Sequence, residues 1–193
     1  MCVEFNKLKR LVMRKFLFLL ILIYSCNSDT LPKPNGYLNL SYPQKTYQNF
    51  TLEKPYEFEI SNQSVAVNQP NGWLKITYPK LKASLDITYR PIKNNLQEIL
   101  IEAEKLVYKH TIKADEILTK DYKNEDQKVF GSLYSINGNA ASNLQFHVTD
   151  SLNHFLKGSL YFYAKPNYDS ILPAVAYIRD DVLHIMETLK WKN

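Results

Sequence analysis

The chain has 193 residues, 45% of them hydrophobic, and carries 24 Lys and Arg against 19 Asp and Glu for a formal net charge of +5. Lys7, Lys9, Arg10, Arg14, Lys15 and the single anion Glu4 all fall in the first 25 residues, so the rest holds 19 cations against 18 anions, or +1. That balance excludes the basic surface that a nucleic-acid partner needs. Cys2 and Cys26 are the only cysteines, which excludes an internal disulfide or a cysteine-ligated zinc once the first 25 residues are removed.

Phe16–Tyr24 (FLFLLILIY) is an unbroken apolar run behind that basic region. It is too short to span a bilayer, which takes roughly 20 apolar residues, and it suits the core of a secretory signal. The run ends in Ile23-Tyr24-Ser25-Cys26, the pattern of a bacterial lipobox. Residues 1–25 are therefore expected to be a lipoprotein signal peptide, and Cys26 to be lipidated with diacylglycerol and an amide-linked acyl chain such as palmitate. Each buried methylene contributes about 0.8 kcal/mol, so several chains make a stable anchor. Met13-Arg14-Lys15 already completes a signal, which makes Met13 an alternative start. Residues 26–36, polar with two prolines, are expected to form a tether. Asn27 rather than Asp follows the cysteine, which favours the outer membrane, facing the periplasm.

Residues 37–193 read as one domain. Leu38, Leu40 and Tyr42 alternate with polar residues, as do Tyr56, Phe58 and Ile60. After the turn Pro70-Asn71-Gly72, Leu74, Ile76 and Tyr78 alternate, then Ala83, Leu85, Ile87 and Tyr89, joined as a hairpin through Pro79-Lys80-Leu81. Asn95–His110 carries Leu96, Ile99, Leu100, Ala103, Leu106 and Val107 at helical spacing, with Asn95 and Glu98 resembling a capping box. Asp115–Tyr122 is ambiguous, and Val129–Ile136 is a strand closed by Asn137-Gly138-Asn139.

Leu144–Asp150 alternates Leu144, Phe146 and Val148 with Gln145, His147 and Thr149, which predicts a half-buried strand. Phe155–Ala164 carries bulk on both faces and is expected to be central in its sheet, with Ser151-Leu152-Asn153 as the turn between the two. The last helix is expected to start near Asp169, with Asp169 and Ser170 as its structural cap and Pro173 in its first turn. Val175, Ile178, Val182, Ile185, Met186 and Leu189 form its apolar face. The predicted fold class is α+β: an antiparallel sheet with a helix packed on each face, an α/β/α sandwich of the PsbP/Mog1 type by analogy.

Five segments carry a resemblance: LPKPNGYLNLSYP, ITYPKLKASLDITYRPIKNNL, YKHTIKAD, GNAASNLQFHVTDSLNHFLKGSLYFYAKPNYDSILP and HIMETLKW. In order and over nearly the whole processed chain, they resemble the gliding-motility lipoprotein GldD family. The resemblance implies a cell-envelope lipoprotein of Bacteroidota-type bacteria, needed for gliding and associated with the gliding and type IX secretion apparatus. It implies no catalytic residue and no cofactor.

Three chemistries compete for the remaining signals. Ser142 or Ser151, His147 or His154, and Asp150 or Asp169 are the residue types of nucleophilic hydrolysis, but no Gly-x-Ser-x-Gly elbow is present. A hydrolase using His147, Asp150 and Ser151 stays an alternative. A metal site from His147, His154 and a carboxylate fits no standard ligand spacing. A glycan-binding envelope module is the third reading, since fourteen tyrosines can supply a stacking platform, although sheet-face packing also accounts for Tyr161 and Tyr163. The favoured expectation is a non-catalytic interaction protein, anchored to the membrane through Cys26. Its contact with other gliding or secretion proteins is expected to include Asn139, Ser142, Gln145, His147 and Thr149, on a small-residue turn and the polar face of a strand.

Overall fold

The structure, a computed structural model, describes residues 42–50, 53–163 and 167–192. The expected signal peptide, Met13, Cys26, the tether and the alternation at Leu38 and Leu40 lie outside the described residues. Tyr42 is within them and precedes the first strand.

The elements run β1 (Tyr47–Phe50), β2 (Tyr56–Ser61), β3 (Val65–Asn68), β4 (Leu74–Tyr78), β5 (Ala83–Pro91), α1 (Leu96–Tyr108), β6 (Ala114–Asn124), β7 (Val129–Gly138), β8 (Leu144–Thr149), β9 (His154–Phe162), α2 (Tyr168–Thr188) and β10 (Lys190–Trp191). Seven strands form one sheet in the order β3-β4-β5-β9-β8-β7-β6, every neighbour antiparallel. A smaller antiparallel sheet has the order β1-β2-β10. The described residues form one mixed α+β domain with two α-helices and a large antiparallel sheet.

The bulk on both faces of β9 has the expected consequence, since β9 takes the central place. It pairs with β5 from Ala83↔Phe162 to Pro91↔His154 and with β8 on its other side. Alternation then divides its side chains. Leu156 and Leu160 enter the main core with Leu85, Ile87, Phe146 and Val148, together with Ile178, Val182, Ile185 and Met186 of α2. Phe155 instead clusters with Ile99 and Ala103 of α1, while Val107 of α1 meets Tyr134, Ile136 and Ala140. At Gly158 an added Cβ would lie 2.1 Å from the Phe146 ring, so the absence of a side chain there is what lets that ring lie across β9.

Four local expectations change. β8 is not half-buried: all six of its residues are buried, because β7 and β9 flank it and both faces are covered. Asn95 does not cap α1 with its side chain. Its Oδ1 accepts the Lys93 N–H at 2.9 Å instead. Asp115–Tyr122 belongs to the edge strand β6. The last helix begins at Tyr168, with Asn167 as the flanking residue and no side-chain cap bond from it. Asp169 and Ser170 are thus in the first turn rather than at the cap, and Pro173 lies past the first turn, inside the helix. Asp169 still sits where a helix N-terminus favours an anion.

Candidate functional site

The five residues expected to face a partner are mostly interior. Asn139 is exposed, but Ser142, Gln145, His147 and Thr149 are buried, His147 with 6% of its surface accessible. Thr149 Oγ1 donates to the His154 carbonyl at 2.7 Å, and Ser142 Oγ donates to the Leu144 carbonyl at 3.3 Å. The small-residue turn does admit a close backbone, and that backbone is the chain's own. A Cβ on Gly138, which has φ +106°, would stand 2.7 Å from the Asp115 nitrogen. The Tyr168 N–H donates to Asn139 Oδ1 at 2.9 Å, and the Tyr168 hydroxyl donates to Asn137 Oδ1 at 2.7 Å. The turn caps α2 from 29 residues away.

The hydrolytic set does not assemble. Asp150 Oδ1 accepts the N–H groups of Leu152, Asn153 and His154 at 2.8–3.0 Å. Burial pushes the Asp150 carboxyl up, but those three donors prevail and hold it below the usual carboxylate range. Ser151 occupies a positive-φ turn position, its N–H donating to Thr149 Oγ1. His147 Nδ1 lies 3.5 Å from the Tyr134 hydroxyl and the ring stacks on Phe155 with centroids 5.7 Å apart. His154 stacks on Trp191 instead and bonds the Tyr89 hydroxyl at 2.9 Å. The two histidines thus have separate surroundings and do not converge as metal ligands.

The structure does build a cleft of about 590 Å³ between α1, strands β5 and β9 and the turn that carries Asn71 and Trp73, a size usual for small-molecule sites. Ile99, Ala103 and Leu106 form its helical wall, Phe155 and Tyr89 line the sheet side, and Trp73 stands at its rim. The Trp73 indole N–H donates to the Tyr89 carbonyl at 3.3 Å, which fixes a ring that is 44% exposed. Arg90 and Glu102 pair across the cleft at 2.6 Å. Lys157 also lines it, half-buried. Burial lowers the Lys157 ammonium, with Glu102 pulling weakly the other way. Burial first, then the Lys157 charge, pushes His147 down to about 4, against a smaller upward pull from Asp121. The same two causes lower His110. Both shifts disfavour a charged imidazole near the Lys157 ammonium.

The family model described as gliding motility lipoprotein GldD matches residues 27–191. The chain belongs to this family. Compared with curated proteins, it has no match. As a GldD-family lipoprotein, it is a membrane-anchored protein of the cell envelope with a role in gliding motility. The resemblance in the sequence segments is thereby established, and the match extends across the cleft-forming elements. The sequence reading of this family member passed over Trp73 and Lys157. One signal was available, since a lysine in a strand with bulk on both faces must be buried at some cost or serve a neighbour.

Proposed function

We propose that residues 1–25 are removed, that Cys26 is lipidated, and that residues 26–36 tether the domain 37–193 to the outer membrane on its periplasmic side. The domain acts there as a non-catalytic interaction or assembly component of the gliding and type IX secretion apparatus. The observation that carries this reading is the family match over residues 27–191, which begins directly after Cys26. The separate clusters of α1 with Phe155 and α2 with Leu156 support an α/β/α sandwich with one helix on each sheet face. Of the expected contact residues, Asn139 is the one with surface to offer, so the partner contact narrows to the rim of the Asn137–Ala141 turn.

Metabolic labelling with an alkynyl fatty acid tests the anchor. The wild type is expected to be labelled and to glide, and Cys26→Ala to do neither. Equal labelling of both, or gliding by the unlabelled variant, overturns the reading. Pull-down of the lipoprotein from solubilised envelope should then recover gliding or secretion proteins, and less of them with Asn139→Arg.

A second reading, a glycan-binding module, is favoured by Tyr161 and Tyr163, which are 38% and 60% exposed rather than packed away. It predicts retardation of the protein in gels cast with envelope polysaccharide. No retardation, or the same retardation in Tyr161→Ala/Tyr163→Ala, ends that reading.

A further inference from the structure

The cleft under α1 combines two features that a merely structural groove would not need. Its accessible apolar surface is offered by Leu106 and Trp73, 36% and 44% exposed, over a floor of Ile99, Ala103 and Phe155. At its side Lys157 forms no hydrogen bond and no ion pair within 4 Å among the described residues. The one anion lining the cleft, Glu102, is held by Arg90 at 2.6 Å. Lys157 nevertheless acts electrostatically on Glu102, His147 and His110, which places its charge between the helix and the sheet. A cation kept partly out of water without a counter-ion is costly, and the cleft, with two cations and one anion, has room for one negative charge. Of the other polar groups lining the cleft, Asn71 and Thr88 are uncharged, and Arg90 and Glu102 are paired with each other, which leaves Lys157 as the charge to be matched.

We propose that this cleft binds an aliphatic carboxylate, its head group on the Lys157 ammonium and its hydrocarbon chain on Leu106 and Trp73, above the floor of Ile99, Ala103 and Phe155. Trp73, held by its indole hydrogen bond, closes one end of the apolar path. The ligand supplies the missing charge and covers the apolar wall together, so neither a short acid nor an uncharged chain should substitute for it. This proposal is independent of the gliding reading: it depends on the cleft and not on the anchor.

Site-resolved amine labelling of the intact lipoprotein in lipid nanodiscs tests it, because a paired ammonium keeps its proton and reacts more slowly with an acylating reagent. Octanoate is the probe. It is expected to slow labelling of Lys157 at least tenfold while leaving exposed Lys120 unchanged, and acetate and octanol are expected to have no such effect. Leu106→Asp, at the rim of the wall, should abolish protection by octanoate without changing the thermal transition. Equal protection by acetate would show that the wall contributes nothing, and equal protection by octanol would remove Lys157 from recognition. Protection by octyl phosphate alone would replace the carboxylate head with a phosphate, and an absence of protection by all probes would leave the cleft without this ligand. Each of these four results overturns the proposal.

Discussion

His147 shows how a single side chain records its surroundings. An imidazole in water titrates near 6.5. Here burial, reinforced by Lys157, brings that value to about 4. Between those two pH values the unfolded chain holds a proton that the folded chain does not, so unfolding is favoured by acid. The group is without effect on stability above about pH 6.5, and a penalty builds as pH falls towards 4, at about 1.4 kcal/mol per unit. His147→Gln should flatten the slope of unfolding free energy against pH in that window, measured by denaturant titration at several pH values. An unchanged slope would assign it to another group. Asp150 adds acid sensitivity of the same sign at lower pH, because its folded carboxyl is held down by three N–H donors. Neither environment was legible from alternation, which placed His147 on a solvent face. The flanking strands β7 and β9 are its neighbours in the chain, but α1, which packs on the Phe155 ring beside His147, comes from a distant part of it.

At the scale of elements, periodic segments are legible in the sequence and their ends are not. The face of α2 from Val175 to Leu189 is buried as its spacing predicts, and the β4–β5 hairpin has the expected pairing. The start of α2 was misplaced because its cap is tertiary: Asn139, not a neighbour of the helix in sequence, receives the Tyr168 N–H. Loss of a capping oxygen costs about 0.5–2 kcal/mol. Asn139→Ala should therefore lower the thermal transition, with weaker amide protection in the first turn of α2 by hydrogen exchange. Unchanged protection there would show that Asn139 is dispensable to the helix. The short strands β1, β3 and β10 went unread because two to four residues carry too little pattern. β6 is an edge strand whose residues are mostly exposed, so its apolar alternation is weak.

Over the whole molecule, the pairing of β5 with β9 joins residues more than sixty apart, and no local signal specifies it. The same holds for a cluster between the first described residues and α2. Lys45 Nζ sits 2.9 Å from Asp181 Oδ1, donates to the Tyr177 carbonyl and lies 3.9 Å over the Tyr177 ring. The Tyr47 hydroxyl donates to the same Asp181 oxygen at 3.0 Å, and Tyr177 stacks on Tyr42 and donates to the Pro43 carbonyl. Burial, then the Asp181 charge, raises the Tyr78 phenol well above its ordinary value. Asp181 is 1% exposed, so removing Lys45 leaves a buried carboxylate with hydroxyl donors but without this cation. Lys45→Ala should cost about 3–5 kcal/mol, and Lys45→Met combined with Asp181→Leu much less, both read by denaturant unfolding. Equal losses in the two would show that packing, not charge, is what Lys45 provides.

That cluster also decides where tension enters the protein. A pull on the chain from the N-terminal side of Tyr42 reaches Lys45 before it reaches the hydrogen bonds between β1 and β2. At Lys45 the load divides among a carboxylate, a carbonyl and an aromatic face, all borne by one 21-residue helix seated in the main core. Such a pull is thus passed to α2 as a body instead of peeling the first strand away bond by bond, which suits a membrane-anchored protein with a role in motility.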